Sequence, residues 1–495
     1  MKLYNQKKFV TALIACLLIS GISCRKILDI NHDPNNPSLD VGTPKIVFPV
    51  AVMGVAAEEG GDLALIGGIL GEYVTQAAAA SQYKNIDQYD LKTTDFNAQW
   101  TNLYAFGLKN LQFVIDKANA AKDWNFYLMG TVVKAYAAAL LVDIYDKIPF
   151  SEALQGVNNL TPHFDDGYTV YKALIAEIDT ALNKDFSAAT AIDLRATNEG
   201  NVDLLFGGDI EKWKAFANTL ELKLYLRMIN SKPAEAQAGI EALYARNAQF
   251  LEQDAKVTGF IDAASQSNPL YEQNIRQLNT GGNLVASRTF LTYLQANGDP
   301  RAVNFFGANP TGLDQGDFLN TSAAALNASV FKESPTDPVV FLSAAESYFL
   351  QAEARERYFS GDGAKALYDQ GVMAEFAALG QDASSFIASG GAYEYPSGTM
   401  DENMEAILTQ KWTSNAYGVH FIEGWLDRNR TGLPKTSPVY STDPSYIPGE
   451  FVVSKNSLLS AGQFPKRLVF PDVEISTNPN TPAQVSITTP VWWGL

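Results

Sequence analysis

Apolar residues recur every three or four positions along much of the chain, the spacing that places them on one face of an α-helix. The clearest case is the segment 209–229, where five apolar residues from Trp213 to Met228 form a single stripe. The same spacing predicts helices over 44–57, 62–80, 97–118, 124–145 and 168–182. We therefore expect a mostly α-helical protein.

Two further segments, 342–352 and 364–374, show the same steps of three and four residues on either side of the turn FSGDG. Small residues such as Ala345, Ala352 and Gly371 occupy the apolar positions. Small side chains let two antiparallel helices approach closely, as in tetratricopeptide-like helix pairs. We expect several such pairs, separated by long insertions.

Two long segments, 231–340 and 380–495, have few periodic runs and are rich in Gly, Pro, Asn, Ser and aromatic residues. We predict irregular loops there, with short strands at 467–470 and 485–488. Long irregular segments on a helical body usually carry binding function.

The N-terminus has the pattern of a secretion signal. Three lysines precede an almost uninterrupted apolar run over 9–19, and small residues then lead to Cys24. This arrangement resembles a bacterial lipobox, although Gly21 stands where Leu is usual, and it predicts a signal peptide over 1–23 with lipidation of Cys24. An ordinary signal peptide with an incidental cysteine is the alternative. The Pro- and Asn-rich segment 24–43 is predicted to be a tether.

Charge and cysteine content limit which ligands and which kind of core the chain can have. The net charge is −17, and loss of the three lysines of the signal peptide makes it more negative. A chain this acidic does not favour nucleic acid or anionic lipid surfaces. The other cysteine, Cys16, lies inside the signal, so the mature core must be stable without disulfides. The apolar run 126–142 contains Lys134 and many small residues, which favours a buried helix over a membrane span.

Signals for catalysis are weak. The three histidines, His32, His163 and His420, are far apart and lack the spacing of metal ligands. Nucleotide-binding and nucleophile motifs are missing from the sequence. We expect no cofactor, no metal and no enzyme activity, although the 54 acidic residues leave a glycosidase carboxylate pair open.

Aromatic residues are abundant, with 22 Tyr, 27 Phe and 7 Trp. Most should fill the core, but aromatics in polar loops could stack on the apolar faces of sugar rings, with amides binding the hydroxyls. The candidate ligand-binding residues chosen on this basis are Gln82, Tyr83, Tyr89, Tyr271 and Phe306.

Five segments carry a family resemblance when they are taken together and in order. They are DIYDKIPFSEAL (143–154), GDIEKWKAFANTLELKLYLRM (208–228), AAESYFLQAEARER (344–357), QKWTSNAYGVHFIEGWLDRNRTGLP (410–434) and FPKRLVFPDVEISTNPN (464–480). With them the chain resembles the SusD/RagB family of outer-membrane nutrient-binding lipoproteins of the Bacteroidetes, and within it the SusD-like group.

These motifs indicate scaffold rather than chemistry. Trp213 and Trp412 are predicted to be buried, each beside a lysine, Lys212 or Lys411, whose stem lies on the surface. The segment 430–434, Arg-Thr-Gly-Leu-Pro, combines a charged fork with a turn and is predicted to tie a helix end to the core.

The resemblance implies a SusD-like fold with tetratricopeptide-like helix pairs, in a single domain over 44–495. It also implies a partner, a SusC-like TonB-dependent outer-membrane transporter, over which the lipoprotein forms a lid that captures a glycan outside the cell. We expect attachment to the outer membrane through lipid, facing the extracellular side, although Arg25 and Lys26 follow Cys24 where acidic residues are frequent. The alternatives are a peptide-binding uptake lipoprotein, a glycan-degrading enzyme and a scaffold that binds only proteins.

Overall fold

The computed structural model describes residues 42–188 and 202–495. The predicted signal peptide, Cys24 and nearly all of the predicted tether lie outside these residues. Within them the protein is mostly helical, as the apolar periodicity predicts.

The α-helices are, in chain order, α1 (Pro44–Glu59), α2 (Asp62–Leu70), α3 (Lys84–Asp87), α4 (Asn97–Asn102), α5 (Lys109–Ala121), α6 (Trp124–Tyr145), α7 (Gly167–Leu182), α8 (Ile210–Arg227), α9 (Pro233–Ala245), α10 (Pro269–Tyr271), α11 (Arg288–Ala296), α12 (Arg301–Phe306), α13 (Ala323–Leu326), α14 (Ala344–Tyr358), α15 (Ala364–Ala378), α16 (Ser384–Ile387), α17 (Met400–Ser414), α18 (Phe421–Thr431) and α19 (Asp472–Thr477). A π-helical turn, Leu103–Leu108, joins α4 to α5, and a second, Glu272–Arg276, follows α10. Single 3₁₀ turns lie at Thr93–Phe96, Gly156–Asn158, Phe186–Ala188 and Tyr417–Val419.

The strands are short and pair in three antiparallel ribbons. They are β1 (Val74–Gln76) with β5 (Leu284–Ala286), β2 (Lys147–Ile148) with β3 (Asp165–Asp166), and β4 (Ala255–Val257) with β6 (Val339–Leu342).

The helix predicted over 62–80 is too long. Helix α2 ends at Leu70, the chain reverses at Gly71 and Glu72, and strand β1 follows. Glu72 has a left-handed backbone, with φ 55°. Strand β1 forms because it pairs with β5, about two hundred residues later, and a partner that distant leaves no trace in local periodicity.

The predicted helix pair is confirmed as α14 and α15. A Cβ atom placed on Gly371 would lie 2.7 Å from the ring of Phe349, so glycine is what allows the close approach. The predicted start of α14 is two residues too early. Leu342 ends strand β6, and Ser343 caps the helix by accepting the N–H of Glu346 at 2.9 Å.

The strands predicted at 467–470 and 485–488 do not form, although the segments lie side by side. The N–H groups of Lys466 and Arg467 both donate to the carbonyl of Ile487, at 2.6 and 3.3 Å, but the partners of Leu468 and Phe470 come from elsewhere. The N–H of Leu468 donates to the carbonyl of Ile144 at 2.8 Å, and that of Phe470 to Gln484 Oε1 at 3.0 Å. Contacts to the end of helix α6 and to the Gln484 side chain therefore take the place of the hydrogen-bond ladder of a β-sheet.

The segments predicted to be irregular contain more helix than expected, namely α9, α11, α17 and α18. The prediction for α6 is confirmed. It is long and apolar enough to cross a membrane, yet 94% of its apolar window is buried inside the protein. Among the described residues, α6 is the one helix with this length and hydropathy.

A buried ion network joins the helices that carry the family motifs. Arg227 of α8 contacts Glu423 and Asp427 of α18, the latter at 3.2 Å. Lys223, one turn earlier in α8, lies 2.8 Å from Glu423 and 3.0 Å from Glu346 of α14. Every one of these side chains is buried, so each depends on its partners for the solvation that water would otherwise supply.

The network continues through α17 and the end of α18. Lys411 lies 2.5 Å from Asp427 and is itself buried, so the prediction of a surface stem is wrong for this lysine. Arg430 forms a fork on Glu353, with distances of 2.6 and 2.8 Å, which confirms the predicted tie of a helix end to the core. Burial opposes ionisation of Glu353, but the Arg430 charge outweighs it and lowers the pKa of Glu353 to about 2.

His420 links the network to α1. Its Nδ1 lies 2.7 Å from Glu59 and its Nε2 lies 3.2 Å from Glu346. Burial disfavours the imidazolium, yet the hydrogen bonds to these two carboxylates raise the pKa of His420 to about 9. The ring is therefore charged at neutral pH and donates to both carboxylates.

Replacing Arg430 tests whether the network fixes the fold. Arg430→Met leaves the Glu353 carboxylate buried without its main partner, and we expect the free energy of unfolding to fall by about 3–5 kcal/mol in urea denaturation. The matched control, Lys435→Met, breaks the exposed Lys435–Glu405 pair of 2.7 Å and should change stability by less than about 1 kcal/mol. Equal losses in the two variants would contradict the role given to the network.

Candidate functional site

A groove runs between the first two helices and the chain on either side of α10. Its main cavity has a volume of about 930 Å³, a size suited to a small-molecule ligand. Met53 and Glu58 of α1 and Asp62 of α2 line one wall, while Phe260 and Gln273 line the other. The lining therefore combines apolar contacts with a few polar groups. We call it the α1–α10 groove.

Local sequence explains how the second wall is built. Asn268 caps α10 by accepting the N–H groups of Leu270 at 3.0 Å and Tyr271 at 3.2 Å. The π-helical turn that follows directs Gln273 toward α2, where its amide donates to the Asp62 carboxylate. This contact connects the two walls.

A smaller cavity of about 220 Å³ adjoins the first and shares Asp62 and Gln273 with it. It adds Gln82 and Tyr83 from the loop after β1. The N–H of Tyr83 donates to Gln76 Oε1 at 2.6 Å, which fixes this loop against the strand.

The Asp87 side chain connects the same loop to strand β1. Its buried carboxylate accepts the Thr75 hydroxyl at 2.7 Å, the N–H of Gln76 at 2.8 Å and the Gln315 amide at 2.6 Å. Burial raises the pKa of Asp87 to about 6, and these hydrogen bonds limit the rise. The groove wall thus rests on a buried polar anchor rather than on a flexible loop.

Two carboxyl groups of the groove, those of Glu58 and Asp62, have raised pKa values, whereas hydrogen bonds, first of all from the Ser267 hydroxyl, lower the pKa of Glu272. Burial, and then the nearby Asp62 charge, raise the pKa of Glu58 to about 7, while the Asn102 amide donates to Glu58 at 2.7 Å. Burial also raises the pKa of Asp62. With its pKa near neutrality, the Glu58 carboxyl can both donate to and accept from a ligand hydroxyl.

The structure brings two of the five predicted ligand residues, Gln82 and Tyr83, to the smaller cavity beside this groove, and a third, Tyr271, lines neither cavity. Gln82 is exposed in the smaller cavity, and Tyr83 beside it is mostly buried, with its hydroxyl 3.0 Å from Asn274 Oδ1. Tyr271 is half-buried in α10, with the Arg276 guanidinium 5.4 Å from the centre of its ring. The groove lining includes Pro269, two residues before Tyr271, and Glu272, directly after it.

The other two lie in the core. The Tyr89 ring is buried, and its hydroxyl accepts the N–H of Ser454 at 3.3 Å. Phe306 packs among other phenylalanines, including Phe290 and Phe331. Neither ring lines the groove.

Sequence reasoning missed much of the lining, including Glu58, Asp62 and Gln273. The first two lie in helices, where their polarity alone does not separate them from ordinary surface residues. The run of amides after Asn268 was the available signal, because Gln273 and Gln277 follow a cap within one short segment.

A cluster of metal-type donors lies elsewhere, at Glu346, His420 and Glu423, whose ligand atoms are within 4.8 Å of one another. It does not suit a cation. The ammonium groups of Lys223 and Lys411 already lie among these carboxylates, and His420 is protonated between two of its neighbours.

Comparison with known proteins assigns the chain to a family. The model of the SusD-like family, described as starch-binding and associating with the outer membrane, matches residues 54–451. The chain belongs to the SusD-like family. Four of the five motif segments lie inside this match. Charged residues from all four of these SusD-like segments take part in the buried ion network, in which Asp143 of segment 143–154 lies 3.5 Å from Arg227.

Solved structures show the SusD-like fold. A SusD homolog from Bacteroides uniformis aligns with a TM-score of 0.73 at 23% identity, covering 91% of this chain and 99% of that one. A chitin-binding protein aligns with a TM-score of 0.71 at 24% identity, with the same coverage. A chitin-binding SusD homolog from Flavobacterium johnsoniae aligns with a TM-score of 0.69 at 22% identity, covering 92% of this chain and 96% of that one. No curated protein matches the sequence significantly.

Proposed function

We propose that this SusD-like protein is an outer-membrane lipoprotein that binds a glycan in the α1–α10 groove and delivers it to a SusC-like TonB-dependent transporter. The observation that carries the proposal is the groove itself, in which amides, weakly acidic carboxyls and apolar contacts face one open cavity. Glycan hydroxyls need such donors and acceptors, and sugar C–H faces need the apolar contacts.

The relatives support the ligand class. Two similar structures are described as chitin-binding, and the family description names starch. A polysaccharide rather than a peptide is therefore the favoured ligand.

The groove suits binding better than hydrolysis. The Glu58 carboxyl accepts a hydrogen bond from Asn102, and that of Asp62 from Gln273, so both acids are held by amides of the groove wall. Energy for uptake would come from the transporter, and this chain would need only to bind and release.

Export and anchoring complete the proposal. The N-terminal lysines, the apolar run and the small residues before Cys24 support cleavage and lipidation at that cysteine. Long acyl chains hold a protein at a membrane, since each buried CH₂ contributes about 0.8 kcal/mol. The acidic body would face the extracellular side and close over the barrel.

Replacing two exposed amide side chains tests whether the ligand binds in the groove. Gln82 and Gln277 have no side-chain hydrogen bond to residues within 42–188 and 202–495, so replacing them removes ligand contacts without opening the fold. We expect Gln82→Ala with Gln277→Ala to weaken binding of chitohexaose or maltoheptaose about tenfold in calorimetry, at about 0.5–1.5 kcal/mol for each lost hydrogen bond. The control, Gln463→Ala, removes an exposed amide elsewhere and should bind as the wild type does.

Unchanged affinity in the double variant would place the ligand outside the groove. Binding of peptides in place of either saccharide would favour the peptide-uptake alternative over the glycan one.

Purification of the protein from the membranes of cells that produce it tests the partner and the anchor. We expect a TonB-dependent barrel in stoichiometric amount by mass spectrometry after extraction in mild detergent. The Cys24→Ala variant should leave the membrane fraction and incorporate no metabolic fatty-acid label. Recovery of the wild-type protein alone across several salts and detergents would contradict the uptake role, and label in the variant would contradict the anchor.

A further inference from the structure

A second cleft lies between α5 and the loop that follows β2. It consists of two adjoining cavities of about 610 and 650 Å³. The residues that line both are Gln112, Asp116, Ala153, Leu154 and Gln155. None of the residues lining these cavities lines the α1–α10 groove. We call this second site the α5 cleft.

One half of the α5 cleft is polar. The side-chain amides of Asn119, Gln155 and Asn158 and the hydroxyl of Tyr127 line it, and they have no hydrogen-bond partner in the part of the chain that the structure describes. Three amides and a phenol in one concave surface offer several donors and acceptors to a ligand.

A charge pair between buried Lys134 and partly exposed Glu177 forms the floor of this half. Lys134 is only 7% exposed, and its ammonium lies 3.1 and 3.2 Å from the two carboxylate oxygens of Glu177. The pair is neutral overall, and the Lys134 ammonium also lies 5.0 Å from the centre of the Phe150 ring. Such a floor favours a neutral polar ligand over a strongly charged one.

The other half of the α5 cleft is apolar. Tyr104, Phe113 and Leu154 line it, and Leu160 at its rim is 75% exposed. Leu154 has a left-handed backbone, with φ 64°, a conformation that costs a leucine about 1 kcal/mol or more. In this conformation the Leu154 side chain lines both halves of the cleft.

The loop wall is fixed before any ligand arrives. The Asp165 carboxylate accepts the N–H groups of Phe150 at 3.2 Å and Ser151 at 2.7 Å, and the Ser151 hydroxyl at 2.9 Å. Further along, the Asn159 amide donates to Glu152 at 3.3 Å. A preorganised wall lowers the entropic cost of binding.

From this geometry we propose that the α5 cleft is a second carbohydrate-binding site, which holds a neutral oligosaccharide segment with its hydroxyls toward the amides and a C–H face toward the apolar half. The inference rests on the proposed function, because the same polysaccharide would occupy the groove and the cleft together. Two sites on one chain raise the avidity for a long polymer without changing the affinity of either site for a short oligosaccharide.

Stoichiometry and polymer binding test the inference. Calorimetry of the full chain with chitohexaose, and separately with maltoheptaose, should show two sites for the oligosaccharide that binds. Asn119→Ala with Gln155→Ala should remove one site, leave the affinity of the other unchanged, and weaken binding to the matching long polymer, glycol chitin or soluble amylose, at least tenfold. Asn119 and Gln155 are exposed and without side-chain hydrogen bonds to the described residues, so the variant should fold normally. Gln463→Ala is the control and should keep both sites.

The outcomes separate the inference from the proposed function. A single site in the wild type, sensitive to Gln82→Ala with Gln277→Ala and insensitive to the cleft variant, would overturn the second site and leave the proposed function standing. Binding of neither saccharide at any site would overturn both.

Discussion

The arrangement of this protein depends on ionic groups that have been removed from water. Lys223, Arg227, Lys411 and Arg430 lie in the core with carboxylates from three helices, α6, α14 and α18, and His420 adds a carboxylate from α1. A buried charge without its partner costs several kcal/mol, so these helices cannot slide or rotate independently without a large penalty.

The network also sets where the groove lies. Two adjacent residues at the end of α1 point in different directions, since Glu58 lines the α1–α10 groove and Glu59 contacts His420 in the core. The side of α1 away from the network is therefore held in place for a ligand. The loops need only short supports of their own, such as Asp87 beneath the loop after β1.

Sequence reasoning succeeded where local pattern decides structure. The helix Trp124–Tyr145 has the bounds that the apolar periodicity predicts. It failed where distant partners decide, as in strand β1, or where burial reverses the usual place of a residue, as in Lys411. The groove was found only in part because Gln82 and Tyr83 belong to a conspicuous polar loop, whereas Asp62 and Gln273 meet through the fold, 211 residues apart.

Native-state hydrogen exchange tests most directly whether the ion network is the rigid scaffold on which the groove is built. The account predicts that amides in α8, α14, α17 and α18 exchange only through global unfolding, with one shared free energy of opening. Amides in the loop after β1 and around α10 should exchange through smaller local openings of lower free energy. If the four helices opened separately, each with its own free energy well below that of global unfolding, the network would not be the common constraint proposed here.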